Sequence, residues 1–156
     1  MKTPEEVFAA LFAVQPLQES FRDLIQPKSP NQAMHHAVNS AIAQVSSDPC
    51  LTAAIYLYAD NLDSAHQEAQ RDESDPEAAY WHGIMHRREG DFSNANYWFR
   101  RTGTLRAQVG SDPVSITERA EAAHRSGTMP EDLLQDIREE FRNLAQVGID
   151  RMFGVR

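Results

Sequence analysis

Five times along this chain a short capping side chain is followed directly by proline: Thr3-Pro4, Ser29-Pro30, Asp48-Pro49, Asp75-Pro76 and Asp112-Pro113. The pair is a helix start written in sequence. An Asp, Ser or Thr oxygen accepts a free N–H of the first turn, and proline tolerates the first helical position because its missing N–H has no partner there anyway. Each start is followed by apolar residues at spacings of three and four, as in Val7, Phe8, Leu11, Phe12 and Val14 after the first and Met34, Ala37, Val38, Ala41, Ile42 and Val45 after the second. No strand-like alternation competes with these patterns, so an all-α fold is expected.

The helices can be read in order. A first helix runs from Pro4 until Pro16 stops it, and a second short one is expected over residues 17–25, with Phe21, Leu24 and Ile25 on one side; Gln26-Pro27-Lys28-Ser29-Pro30 then breaks the chain. The helix after Asp48-Pro49 carries Leu51, Ala54, Ile55, Leu57 and Tyr58 on nearly all sides, which suggests a central position. Past residue 102 the pattern breaks. A helix with a narrow apolar face follows Pro113, and the last one begins near Pro130, carries Leu133, Leu134, Ile137, Phe141, Leu144 and Ala145, and should end near Gly148. At 156 residues, one domain of about seven to nine helices is the natural size.

The two segments of about 48–73 and 76–102 read as successive antiparallel hairpins, with Asn61-Leu62-Asp63-Ser64-Ala65 repeated 30 residues later as Asp91-Phe92-Ser93-Asn94-Ala95. In the second hairpin, Pro76-Glu77-Ala78-Ala79-Tyr80-Trp81-His82-Gly83, the Gly90-Asp91 turn, Phe92, Ala95 and Phe99 resemble a tetratricopeptide repeat unit over about 28 residues. That resemblance implies a helical scaffold that binds peptides or other proteins. The strings 80–89 and 93–103 also resemble a group of uncharacterised small bacterial proteins, a likeness that brings no established activity.

Composition narrows the classes. A net charge of −8 argues against a phosphate-backbone binder, so nucleic acid is not an expected partner. No apolar run approaches the roughly 20 residues that span a bilayer, and the acidic start Met1-Lys2-Thr3-Pro4-Glu5-Glu6 does not resemble an export signal. No membrane association and a cytoplasmic location are the resulting expectations. The lone Cys50 reads as a small hydrophobe near a helix start.

Chemistry concentrates on the second hairpin. His82 and His86, four residues apart, project from one helical face and form a plausible pair of ligands for a divalent metal; Glu89 and, from the preceding hairpin, His66 are candidates to complete the set. The string His82-Gly83-Ile84-Met85-His86 has no internal glutamate, so it is not the metalloprotease motif. The bland reading has both imidazoles packed, hydrogen-bonding to neighbours or stacked beside Tyr97 and Trp98. Arg87, Arg88, Arg100 and Arg101 are candidate anion or partner contacts, expected as two charge sites at opposite ends of the hairpin, with Asp72, Glu73 and Asp75 available to neutralise the second pair. Trp81 and Trp98 read as structural anchors, and His35 and His36 as solvated. No catalytic residue can be named. The leading functional expectation is a protein-interaction or self-association module; the alternative is a metal- or small-anion-dependent enzyme with its histidine site on the central hairpin.

Overall fold

A computed structural model describes residues 2–25 and 30–154, and it is all-α, with no strand among those residues. Its helices are α1 (Pro4–Val7), α2 (Ala9–Val14), α3 (His35–Gln44), α4 (Pro49–Tyr58), α5 (Leu62–Ala69), α6 (Pro76–Arg88), α7 (Phe92–Phe99), α8 (Leu105–Val109), α9 (Pro113–Ser126) and α10 (Glu131–Phe153). None is long and apolar enough to cross a membrane. The capping residues Thr3, Asp48, Asp75 and Asp112 act as read, each accepting a backbone N–H of the first turn of the helix it precedes, and Asp91 does the same for α7. The break at residues 26–29 lies outside the described residues, as do Val155 and Arg156.

The two hairpins, α4–α5 and α6–α7, stack on one another through α5–α6 and α4–α6 contacts. On one flank α9 packs against α7, on the other α3 against α4, and α10 runs across α4, α8, α9 and α1. Phe141 of α10 sits where these layers meet. Its ring lies 5.2 Å from Phe21, 5.4 Å from Tyr58, 5.3 Å from Trp81 and 6.5 Å from Phe8, centroid to centroid, tying the N-terminal segment, both hairpins and the last helix into one core. Both α4 and α6 are buried nearly all round.

Three boundaries differ from the sequence reading. The first helix is broken at Phe8, where φ −102° and ψ 21° separate α1 from α2. Only a 3-10 turn, Leu17–Glu19, forms where a second short helix was expected, and residues 20–25 are not helical. Phe21 there adopts a positive φ of 60°, and the carbonyls a helix would use are turned to buried arginines instead: Ser20 O accepts from Arg138 Nε at 3.0 Å, and Asp23 O accepts from Arg88. Finally, α10 does not stop at Gly148 but continues to Phe153. Gly148 is there for contact. A Cβ on it would lie 2.6 Å from Glu77 Oε2 and 2.9 Å from Leu51 Cδ2, so its missing side chain lets α10 press onto α4 and α6. Arg151, one turn further on, reaches Glu77 Oε1 at 2.7 Å and Asp48 Oδ2 at 2.9 Å and locks the helix there.

Candidate functional site

The site grows out of how tightly α6 and α7 meet. Gly83 permits the approach: a Cβ at that position would lie 2.4 Å from the Phe99 ring. The Gly90 turn, at a φ of +87° that suits glycine, sends α7 back along α6. Residue 82 is thereby brought against residue 98, and the His82 imidazole stacks on the Trp98 indole with centroids 3.9 Å apart and planes 13° from parallel. One turn on, His86 stacks in turn on His82 at 5.0 Å. From the neighbouring hairpin, α5 contributes His66, whose ring is 4.7 Å from that of His82 and 5.4 Å from that of His86.

The three imidazoles converge, with one ring nitrogen from each lying within 4.8 Å of the others. His82 and His86 are buried, and His66 is partly exposed. Glu89 Oε1 lies 2.6 Å from His86 Nδ1, and because a carboxylate only accepts, Nδ1 carries a proton and Nε2 is the ring nitrogen left to bind a metal. The Asn94 side-chain amide, on the first turn of α7, lies 3.2 Å from that Nε2. Glu89 therefore orients the His86 ring, and it also forms a close group of its own with His86 and Asp91. His82 Nδ1 is buried and makes no hydrogen bond among the described residues, an arrangement native proteins rarely leave without purpose.

Burial, and then the neighbouring His86 and His66, push the His82 pKa down to about 3, so this ring is neutral at physiological pH. The sign of the linkage follows. The unfolded chain takes up this proton near 6.5 and the folded chain only near 3, so stability is complete above pH 6.5 and falls as pH drops toward 3. Urea unfolding in the presence of a chelator should show the native chain losing up to about 1.4 kcal/mol per pH unit below 6.5 relative to His82→Phe, which keeps the stack without the titration. Equal slopes for the two proteins would show that His82 protonates as easily folded as unfolded.

The arginines divide differently from expectation. Arg87 and Arg88 are buried and engaged internally, so they form no surface charge site beside the turn. Arg87 makes a two-pronged bond to Glu140, 2.6 Å from Nη1 to Oε1 and 3.2 Å from Nη2 to Oε2, and donates also to Thr117 Oγ1 and the Pro113 carbonyl. Tyr80 OH completes the cluster by donating to Glu140 Oε2 at 2.9 Å. Arg88 lies over the Phe21 ring, donates to Asp23 O and approaches Asp60 at 3.7 Å. Arg100 and Arg101, by contrast, are exposed. The pairing with Asp72, Glu73 or Asp75 is not made among the described residues: Asp72 accepts from Ser74, and Asp75 caps α6.

Two features had little sequence signal. Asn94 reaches His86 only because the hairpin closes, though its place one turn into the return helix is where such a contact must fall. Asp48, Cys50 and Glu77 also converge within 4.8 Å, brought together by the starts of α4 and α6. Arg151 already satisfies both carboxylates of that group, and burial, reinforced by Glu77, Asp75 and Asp48, holds the Cys50 thiol far above its ordinary pKa, so the cluster is an ionic clamp around an inert thiol. No protein-family model, curated protein or solved structure matches the chain.

Proposed function

We propose that the chain binds a divalent transition metal, zinc being the best fit, through His66, His82 and His86, and that the metal is its functional centre. One observation carries this reading: three imidazoles from two hairpins place one ring nitrogen each within 4.8 Å of one another, and His82 Nδ1 is buried without a hydrogen bond. Three nitrogen ligands suit zinc. A tetrahedral site with Zn–N near 2.0–2.1 Å needs nitrogens about 3.4 Å apart, which small changes in ring torsion would supply. Glu89 supports the reading further, because a metal-bound histidine commonly gives its other N–H to a carboxylate; the metal would then take His86 Nε2 in place of the Asn94 amide. A three-protein-ligand set leaves a fourth position for water or substrate, the pattern of catalytic rather than structural zinc. This favours the enzyme alternative over the interaction module. For the latter, the large exposed apolar side chains Val14, Tyr97 and Phe153 are scattered, and scattered apolar residues are ordinary surface. A tetratricopeptide-like scaffold remains a reading of how the hairpins are built, with the site set between them.

Trp98 provides the assay, since a metal on His82 perturbs the indole stacked against it. Zinc titration of tag-free protein should change Trp98 fluorescence with a stoichiometry of one. His66→Ala and His86→Ala should each weaken binding by more than the roughly 10–100-fold expected of Glu89→Gln, which removes only the orienting carboxylate. Elemental analysis finding no stoichiometric metal after loading, or a titration that His66→Ala leaves unchanged, would sink the proposal.

A further inference from the structure

Beside the three histidines, the outer face of α7 forms an open pocket of about 620 Å³ lined by Asp91, Ser93, Asn94, Tyr97, Arg100 and Arg101. Asn94 belongs to both places: it lines this pocket, and its side-chain amide lies 3.2 Å from His86 Nε2. In a chain of net charge −8, Arg100 and Arg101 make no ion pair with any carboxylate among the described residues. Arg101 is nevertheless positioned. Its side chain leans back along the helix, lies over the Tyr97 and Trp98 rings at 5.4 and 5.5 Å, and places Nη1 3.4 Å from Tyr97 OH. Tyr97 itself is 53% exposed, a flat apolar wall with a hydroxyl at its edge.

We propose that this pocket binds a small phosphate monoester, its phosphate held by Arg100, Arg101 and the Tyr97 hydroxyl and its other end reaching Asn94 beside His86. The placement of that second end at a metal rests on the proposed function; the phosphate site itself does not. The head group follows from the donors. Two guanidiniums and a phenol match the charge and the three oxygens of a phosphate dianion better than the two oxygens of a carboxylate. The length follows from the helix. Arg101 is seven positions past Asn94 but reaches back over Tyr97, so the head group and the histidine end stand one to two turns apart, about 5–10 Å. Asp91 does not oppose this, because it lies at the start of α7, where its Oδ1 accepts the Asn94 N–H, and the eight residues of the helix, about 12 Å, separate it from the arginines. The body of the ligand would lie on Tyr97.

Phenyl phosphate has the required head group, flat body and length, and calorimetric titration of the full chain with it is the test. Zinc-loaded protein should bind it saturably, more weakly as salt is raised. The double variant Arg100→Gln/Arg101→Gln should bind at least tenfold more weakly, while its zinc titration, read by Trp98 fluorescence, stays within twofold of the native chain. Both side chains are exposed, so the variant keeps its fold. Titration of the chelated native chain separates the two readings: binding there that the double variant abolishes upholds the phosphate site even if zinc does not bind. Zinc uptake without saturable phenyl phosphate binding, or binding that the double variant leaves unchanged, overturns the inference.

Discussion

Glu140→Ala is expected to destabilise the chain by about 3–5 kcal/mol, the loss seen when one partner of a buried ion pair is removed and the other stays behind. Glu140 is 1% exposed and Arg87 3%, and among the described residues the carboxylate is the only charged group paired with the guanidinium. Alanine leaves the charge of Arg87 to Thr117 Oγ1 and the Pro113 carbonyl, and strands the Tyr80 hydroxyl, which now donates to Glu140. The pair as a whole contributes much less than this loss. Two charges brought out of water recover in mutual attraction about what their desolvation costs, so Arg87→Met/Glu140→Leu should fall within about 1–2 kcal/mol of the native chain and can exceed it. Urea unfolding of the three proteins at pH 7 distinguishes these effects. A loss under about 1 kcal/mol for Glu140→Ala alone would mean that water reaches Arg87.

That ion pair marks the limit of what was legible in the sequence. The helix starts were legible because a cap is a local device: Asp48, Asp75, Asp91 and Asp112 each act on N–H groups two or three residues away. The stacking of the hairpins was legible too, since the same small residue, Ala65 and Ala95, follows each turn and is buried in both. With α5 placed beside α6, His66 falls naturally near His82 and His86. The fate of the Arg87-Arg88 pair was not legible. Two adjacent arginines beside a turn look like surface charge, and the groups that bury them, Glu140 and the Asp23 carbonyl, lie 53 and 65 residues away. Residues 20–25 went wrong for the same reason, because the Ser20 and Asp23 carbonyls serve Arg138 and Arg88, both distant in sequence. Gly148 misled in the opposite direction: glycine in sequence suggests a stop, but here it makes room for Glu77 and Leu51.

Gly83→Val should combine a loss of stability with a loss of metal affinity, and the combination tests whether the candidate site depends on the closeness of the hairpin. Replacing glycine by valine inside a helix would by itself stabilise the chain by a few tenths of a kcal/mol. Sterics decide the other way. The first atom of the new side chain would lie 2.4, 2.6 and 2.8 Å from three carbons of the Phe99 ring, and that ring is fully buried, held between Tyr80 at 5.5 Å and the Arg87 guanidinium at 4.8 Å. With no free direction for the ring, overpacking should cost at least the typical 1–3 kcal/mol, and α7 must move away from α6. The residues flanking this contact in sequence are His82 and Trp98, whose 3.9 Å stack depends on the same spacing. A shift of even half an ångström disturbs ligand geometry, so zinc affinity should fall although no ligand has been touched. Gly83→Val/Phe99→Leu, which removes part of the ring, should recover both quantities together. Stability lost with zinc affinity unchanged would show that the histidines hold their geometry independently of the α6–α7 contact.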